Sequence, residues 1–436
     1  MKKGVIALLL ALAVIILISP GIIGKLAEQS VDENLNWAAT ESGELIVTSQ
    51  DFDRGWFSSE GQHRIELGDG TLRAAVAADG KDFPALVINT HLDHGPVAFT
   101  SMAREGGSLA PGLGSAVSTL VVEYGKGETF EIPGSIYSEI GLGGGLQSRY
   151  ALEAGTKTTD GKTATWEAVS IDVSTSPRNG SVSFDGNIGA LSFTTDQEVV
   201  SVDSIIFSGE QTQTQYGFAT GTLDAAVGAV AFTTGGMQRG GMNGLTVTAN
   251  SAINDSRLDA DVQLQINEQN IPGFGDVSVT ANIVIADADA KAVGVVSQRL
   301  ESMSGSQDPT QTMMMAEEDF KDLVAAGFEF RFDQLDLVLP MGTVRSRISF
   351  EIPQSDRATF EWTSLLLGIV ASADIKVPQA LVDIAMTMNP QGAEALIGMG
   401  YLKLNGNAYE MEARYKKGVL TVNGAPVPIP LGALMN

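Results

Sequence analysis

The chain has 436 residues, 44% of them apolar and 18% charged, with 27 Lys and Arg against 52 Asp and Glu for a net charge of −25. This is the composition of a folded body large enough for one big core or two adjoining ones, and its field repels phosphate backbones, which opposes a nucleic-acid partner. Cysteine is absent, which excludes disulfides, thiolate metal sites, cysteine nucleophiles and a lipidated amino-terminal cysteine.

The first predicted element is an uncharged run from Gly4 to Gly24, about 30 Å long as a helix and enough to cross a hydrocarbon core. A cleaved signal peptide is the rival reading, but its apolar region spans only ~7–15 residues and ends at a small-x-small site. Here the only Ala-x-Ala, Ala11 to Ala13, lies inside the run, and the exit "ISPGIIGK" is bulky. Residues 1–24 are therefore read as a stub and an uncleaved transmembrane anchor, with residues 5–23 in the bilayer. Lys2 and Lys3 precede the span, and Glu28, Asp32 and Glu33 follow it with Lys25 alone. The positive-inside rule then keeps the amino terminus in the cytoplasm and exports the body.

Residues 25–42 are expected to form a stem, with Leu26, Leu35 and Trp37 near the membrane. Residues 43–303 read as a β-rich body, because apolar and polar residues alternate with period two. Leu245, Val247 and Ala249 share one side of "LTVTANSA". Leu258, Ala260, Val262, Leu264 and Ile266 oppose Asp259, Asp261, Gln263 and Gln265, and Val277, Val279, Ala281, Ile283 and Ile285 line the next strand. Similar alternation recurs around 168–174, 181–193 and 345–352. Antiparallel sheets covered on one face have this pattern.

Helices are expected in "DADAKAVGVVSQRLESM", with Asp287 or Asp289 as N-cap, and in "AEEDFKDLVAAGF", which puts Phe320, Leu323 and Val324 on one side. "VPQALVDIAMTMNPQGAEALIGMG" reads as two short helices divided at Asn389-Pro390. Residues 304–330 are a linker, "SGSQDPTQ", and an amphipathic helix. Residues 331–436 are a second β-rich part with short helices and closing hairpins, turned at Asn405-Gly406, Lys417-Gly418 and Asn423-Gly424.

Candidate chemistry is sparse. The three histidines are His63, His91 and His94. "HLDH" suggests metal ligands, yet in a strand His91 and Asp93 share a face while His94 points away. Ser58 and Ser59 lack a nucleophile-elbow context, and strand parity sets them on opposite faces. "GTKTTDGKT" has five residues between its glycines where a phosphate loop has four, and Asp160-Gly161 reads as a hairpin turn. Asp287 and Asp289 lack the rest of a calcium loop. The methionines at 313–315 read as soft packing. No catalytic constellation, metal or cofactor is implied.

"FDRGWFSSEG" places Arg54, Gly55, Trp56, Phe57, Ser58 and Ser59 in a joint between two strands, with Asp53-Arg54-Gly55 as the turn and Gly55 free to take a positive φ. With "NTHLDHGPVAF", containing His94, Gly95 and Pro96, and the closing "NAYEMEARYKKGVLTVNGAPVPIPL", containing Asn423 and Gly424, it resembles the YdgA-like family of bacterial inner-membrane-anchored proteins of unknown function. The resemblance implies a periplasmic body on a single-pass anchor and supplies no catalytic residues. A looser similarity is to the AsmA-like group, whose anchored β-rich proteins are linked to lipid traffic. The expected fold is mainly β with a few helices (α+β): the transmembrane helix, then large antiparallel, curved sheets, AsmA-like or sandwich-like. The leading expectation is a non-enzymatic envelope protein offering an apolar sheet groove to a lipid or other hydrophobic ligand. The alternatives are a self-covered scaffold or homo-oligomer and, third, an enzyme acting on envelope polymers.

Overall fold

The structure, a computed structural model, describes residues 45–55, 58–68, 85–94, 112–123, 129–159, 162–176, 178, 180–271, 275–304 and 309–428, with Gln29 and Val31. The anchor expected within 1–24 lies outside the described residues, as does the stem apart from Gln29 and Val31. Among the described residues no helix is long and apolar enough to cross a membrane.

The first strands among the described residues are β1 (Leu45–Arg54), β2 (Ser58–Leu67), β3 (Ala85–His94), β4 (Gly112–Glu123), β5 (Thr129–Gly141) and β6 (Leu146–Leu152), each antiparallel to the one before. Then come β7 (Gly155–Thr159), β8 (Lys162–Trp166), β9 (Val169–Ser176), β10 (Ser181–Ile188), β11 (Leu191–Thr194) and β12 (Glu198–Val202). β13 (Ile205–Gln213), β14 (Ala219–Val227), β15 (Val230–Thr234), β16 (Met237–Met242) and β17 (Gly244–Asn254) follow. This stretch is a set of long hairpins whose strands are each bent near the middle, β6 into β7, β8 into β9, and so on to β16 into β17. One half of each joins a twenty-stranded sheet and the other half a six-stranded sheet.

The ladder continues through the bends. Glu167 N–H donates to the Ala190 carbonyl at 2.8 Å, Gly189 N–H to Ala168 at 3.0 Å, Asp203 N–H to Ala229 at 2.9 Å and Gly228 N–H to Ser204 at 2.7 Å. The bend line carries small residues because the strands approach closely there. A Cβ on Gly189 would sit 2.6 Å from that of Glu167.

The long sheet continues through β18 (Arg257–Ile271) and β19 (Gly275–Asp289), then a helical hairpin of α1 (Ala290–Ser304) and α2 (Pro309–Ala326), then β20 (Phe328–Leu339) and β21 (Gly342–Ile352). β19 and β20 pair directly on either side of that hairpin, so the sheet is uninterrupted. α3 (Trp362–Gly368), β22 (Val370–Pro378), α4 (Gln379–Met388), α5 (Pro390–Gly398), β23 (Lys403–Asn405), β24 (Ala408–Lys416), β25 (Val419–Val422) and β26 (Ala425–Val427) complete it. All pairings are antiparallel, and the order follows the chain except that β24 pairs with β22 on one edge and with β23 and β25 on the other. The protein is mainly β with a few helices, as the alternation predicts.

Local chemistry sets the element ends. Asp289 caps α1, its Oδ1 accepting from Ala292 N–H at 2.9 Å. Asn389 caps α5, its Oδ1 accepting from Gly392 N–H at 3.2 Å, and Pro390 stands first in that helix. Asn423 and Gly424 take φ of 50° and 79° between partners Val422 and Ala425, the two-residue turn their types favour. One expectation is corrected. The strand expected to stop near Ile285 runs to Asp289, because a bulge and a positive φ at Asp287, whose carboxylate Arg257 holds at 3.0 Å, carry it on. α3 is one of the short helices expected within 331–436, but its seven residues are too few for a helical period to locate it.

Candidate functional site

The joint at 52–59 is a hairpin, but its turn lies later than Asp53-Arg54-Gly55. Arg54 still belongs to β1 and pairs with Ser59, while Gly55 N–H donates to the Ser58 carbonyl at 2.7 Å. Gly55 does not adopt a positive φ; its value is close approach, since a Cβ there would meet the Ser58 carbonyl oxygen at 3.1 Å. Trp56, Phe57, Gly95 and Pro96 lie outside the described residues. Strand parity holds: Ser59 and His63 are 1% and 0% exposed, whereas Ser58 is half-buried on the other face.

What the sequence reading missed is a contact across strands. Ser59 Oγ lies 3.1 Å from His94 Nε2, and both side chains are buried. Register brings them together, because Ser59 faces Leu92, two residues from His94. No local motif marks this pair; period-two parity applied to both strands could have found it. Beside it Thr90 Oγ1 meets Ser118 Oγ at 2.8 Å, and Ser138 Oγ meets Ser148 Oγ at 2.7 Å. His91 and His94 lie on opposite faces, with His91 next to Glu60 and Asp93 at 3.5 and 3.4 Å. A serine–imidazole contact is half of a nucleophile arrangement. Here it is sealed beneath the sheet, so its chemistry is that of a buried, hydrogen-bonded polar pair.

The same face, followed strand by strand through the register, becomes apolar. Leu152 faces Val169, which faces Ile188, then Ile205, Val227 and Leu245. The row continues through Ile266, Val279, Leu337 and Val344. A second row runs from Tyr150 and Ile171 past Gly186 to Phe207, Ala225, Val247, Leu264, Ala281 and Leu335. The Phe207 ring covers Gly186, where a Cβ would come within 2.2 Å of it. At a strand spacing of about 4.8 Å, the first row is roughly 43 Å long, more than the ~30 Å core of a bilayer.

The opposite face is polar. One row crosses Arg149, Asp172, Asp185, Ser208, Asp224, Thr248, Gln263 and Asn282. Arg149 holds Asp172 at 2.6 Å.

Coverage of the apolar face is uneven. At the β1–β5 end it is closed: Leu92 and Ile140 pack with Val31, Leu113 and Ala116, and Leu146 joins from β6. From β6 to β21 most of the row is only half-buried, and Phe350 on β21 is 42% exposed. Tyr150, at the junction, donates its hydroxyl to the Pro133 carbonyl at 2.6 Å, and burial pushes its phenol above the ordinary value.

Asn423 is structural: its Nδ2 donates to the Gly400 and Tyr401 carbonyls at 2.8 and 3.0 Å, and its Oδ1 accepts from Glu412 N–H at 2.9 Å. It thereby pins the end of α5 to the β24–β25 hairpin.

Fold and site together define a β-meander protein with one long apolar wall and one polar wall. The chain belongs to a bacterial family of unknown function (DUF945), whose family model matches residues 1–430. No curated protein and no solved structure matches it.

Proposed function

We propose that this protein is a periplasmic envelope protein, held in the inner membrane by residues 5–23, that binds lipid acyl chains along the apolar face of its long sheet without catalysing a reaction. The observation that carries this is the unbroken apolar row from β6 to β21, which the protein's own described elements leave half-buried. Apolar faces are driven to find cover, and a bacterial envelope supplies acyl chains as the apolar occupant.

Continuity with the bilayer favours a lipid over other hydrophobic partners. Val31 packs into the closed end of the same face. It stands seven residues after Gly24, so an anchor ending there keeps this end of the face within about 25 Å of the membrane. The looser AsmA-like resemblance points the same way by architecture alone.

Lipid mass spectrometry on the purified full chain tests the reading. The wild type should retain phospholipid in excess of a Val247→Asp/Leu264→Asp variant with the same anchor. Equal lipid in both would sink it, and a concentration-dependent dimer that loses contact on the same substitutions would favour the homo-oligomer. An enzyme reading would require the buried Ser59–His94 contact to open, and covalent labelling of Ser59 by a fluorophosphonate probe would support it. A periplasm-active reporter fused after Asn436 checks topology: activity is expected, and its absence with cytoplasmic activity would reverse the orientation.

A further inference from the structure

The polar wall carries a cleft of about 1050 Å³ where β20, β21, β22, β24 and β23 come together. Across it runs a row of charges set by register: Asp336, Arg345, Lys376, Glu410 and Lys403. Opposite charges on neighbouring strands ordinarily neutralise one another. Here Glu410 pairs with its neighbour Lys376, and the other carboxylates reach donors other than Arg345 and Arg347. Arg414 Nη2 holds Asp374 through both oxygens at 2.9 and 3.1 Å and Glu412 at 3.2 Å. Glu410 accepts from Lys376 Nζ and Asn405 Nδ2, each at 2.8 Å, which holds its carboxyl below the ordinary range. Asp333 is taken by Arg331 at 3.0 Å, and Asp336 accepts from Gln334 at 2.9 Å.

This leaves Arg345 and Arg347, on one face of β21, with no ion pair or side-chain hydrogen bond among the described residues although both line the cleft. Two residues apart in a strand, their Cα atoms are about 7 Å apart. Lys403 stands on the cleft wall, its Nζ donating to the Asn423 carbonyl at 3.2 Å. A guanidinium is a planar fork suited to two oxygens of one anion.

We infer that this cleft is an oxyanion site, in which Arg345 and Arg347 grip a ligand carrying two phosphate or carboxylate groups. The site lies on the wall opposite the apolar row, so its ligand is separate from any acyl chain bound there. The whole-chain charge of −25 works against anion capture at long range, and salt screens that field more than it screens contact pairs. Binding is therefore expected to survive moderate salt.

Calorimetric titration of the full chain with inorganic pyrophosphate, and separately with citrate, tests the site. Saturable binding of either is expected, weakened at least ten-fold in Arg345→Gln/Arg347→Gln and unchanged in Arg149→Gln, which removes an already paired arginine from the same wall. Binding of pyrophosphate alone would assign the site to phosphates, and of citrate alone to carboxylates. Absence of saturable binding of both, or equal binding by the double variant with an unaltered melting temperature, would overturn it.

Discussion

The β1–β5 end of the long sheet and its β6–β21 stretch share one continuous face, yet treat it in opposite ways. At the first end, Leu92 and Ile140 are shut in a cluster and even the polar members, Ser59, His63, Thr90 and His94, are buried. In the longer stretch the residues are more uniformly apolar but only half-buried. Closure therefore does not track hydrophobicity along this face. The polar part is sealed and hydrogen-bonded, as buried polar groups require, while the greasier part is left accessible. A fold selected only for stability would close the greasier part first.

Truncating a leucine in each region breaks or sharpens that contrast. Leu92→Ala should lose about 3–4 kcal/mol, by removing a fully enclosed side chain and leaving a cavity. Leu264→Ala should lose about 1 kcal/mol, since part of its surface is already wet. Denaturant titrations of the two variants measure this, and equal losses would mean that the two regions are equally closed.

Asn423→Ala tests the far end, where three side-chain hydrogen bonds and a positive φ depend on one residue. A loss of about 2 kcal/mol is expected, with acyl-chain binding intact. Ser59→Ala should lose about 1 kcal/mol by unpairing the buried His94 contact and leave lipid retention unchanged. A loss of function without loss of stability at Ser59 would instead favour catalysis.

The smallest effect concerns the exposed polar wall. Glu410 is held below its ordinary carboxylate value first by the hydrogen bond from Lys376, then by that from Asn405. A lowered folded-state pKa adds stability above the unfolded-state value, and this is lost as pH falls through the folded-state value. The gap between the wild type and Lys376→Met should be small at neutral pH and vanish as pH falls below about 4. A gap that widens in acid would contradict the pairing.

Much of the architecture was legible because one-sided strands carry a strict two-residue period. The runs through Leu245–Ala249, Leu258–Ile266 and Val277–Ile285 announce their apolar sides directly. Asn423-Gly424 and Asn389-Pro390 mark their turn and helix break by backbone preference alone. The bent hairpins were not legible, because a strand interrupted at Glu167-Ala168 or Gly228-Ala229 resembles two short strands. The Thr- and Ser-rich second sheet also alternates weakly. The Ser59–His94 contact joins residues 35 apart, and only the register of β2 against β3 brings them together. That Arg345 and Arg347 have no ion pair among the described residues was equally hidden, since it depends on which carboxylates Arg414 and Lys376 reach across neighbouring strands.

Photocrosslinking along β17 reads the apolar wall most directly. With benzoylphenylalanine placed singly from residue 245 to 250 in cells, lipid adducts should form at 245, 247 and 249 and be absent at 246, 248 and 250. Adducts on both parities, or on neither while Leu92→Ala still shows its expected loss of stability, would contradict an acyl-chain-binding face.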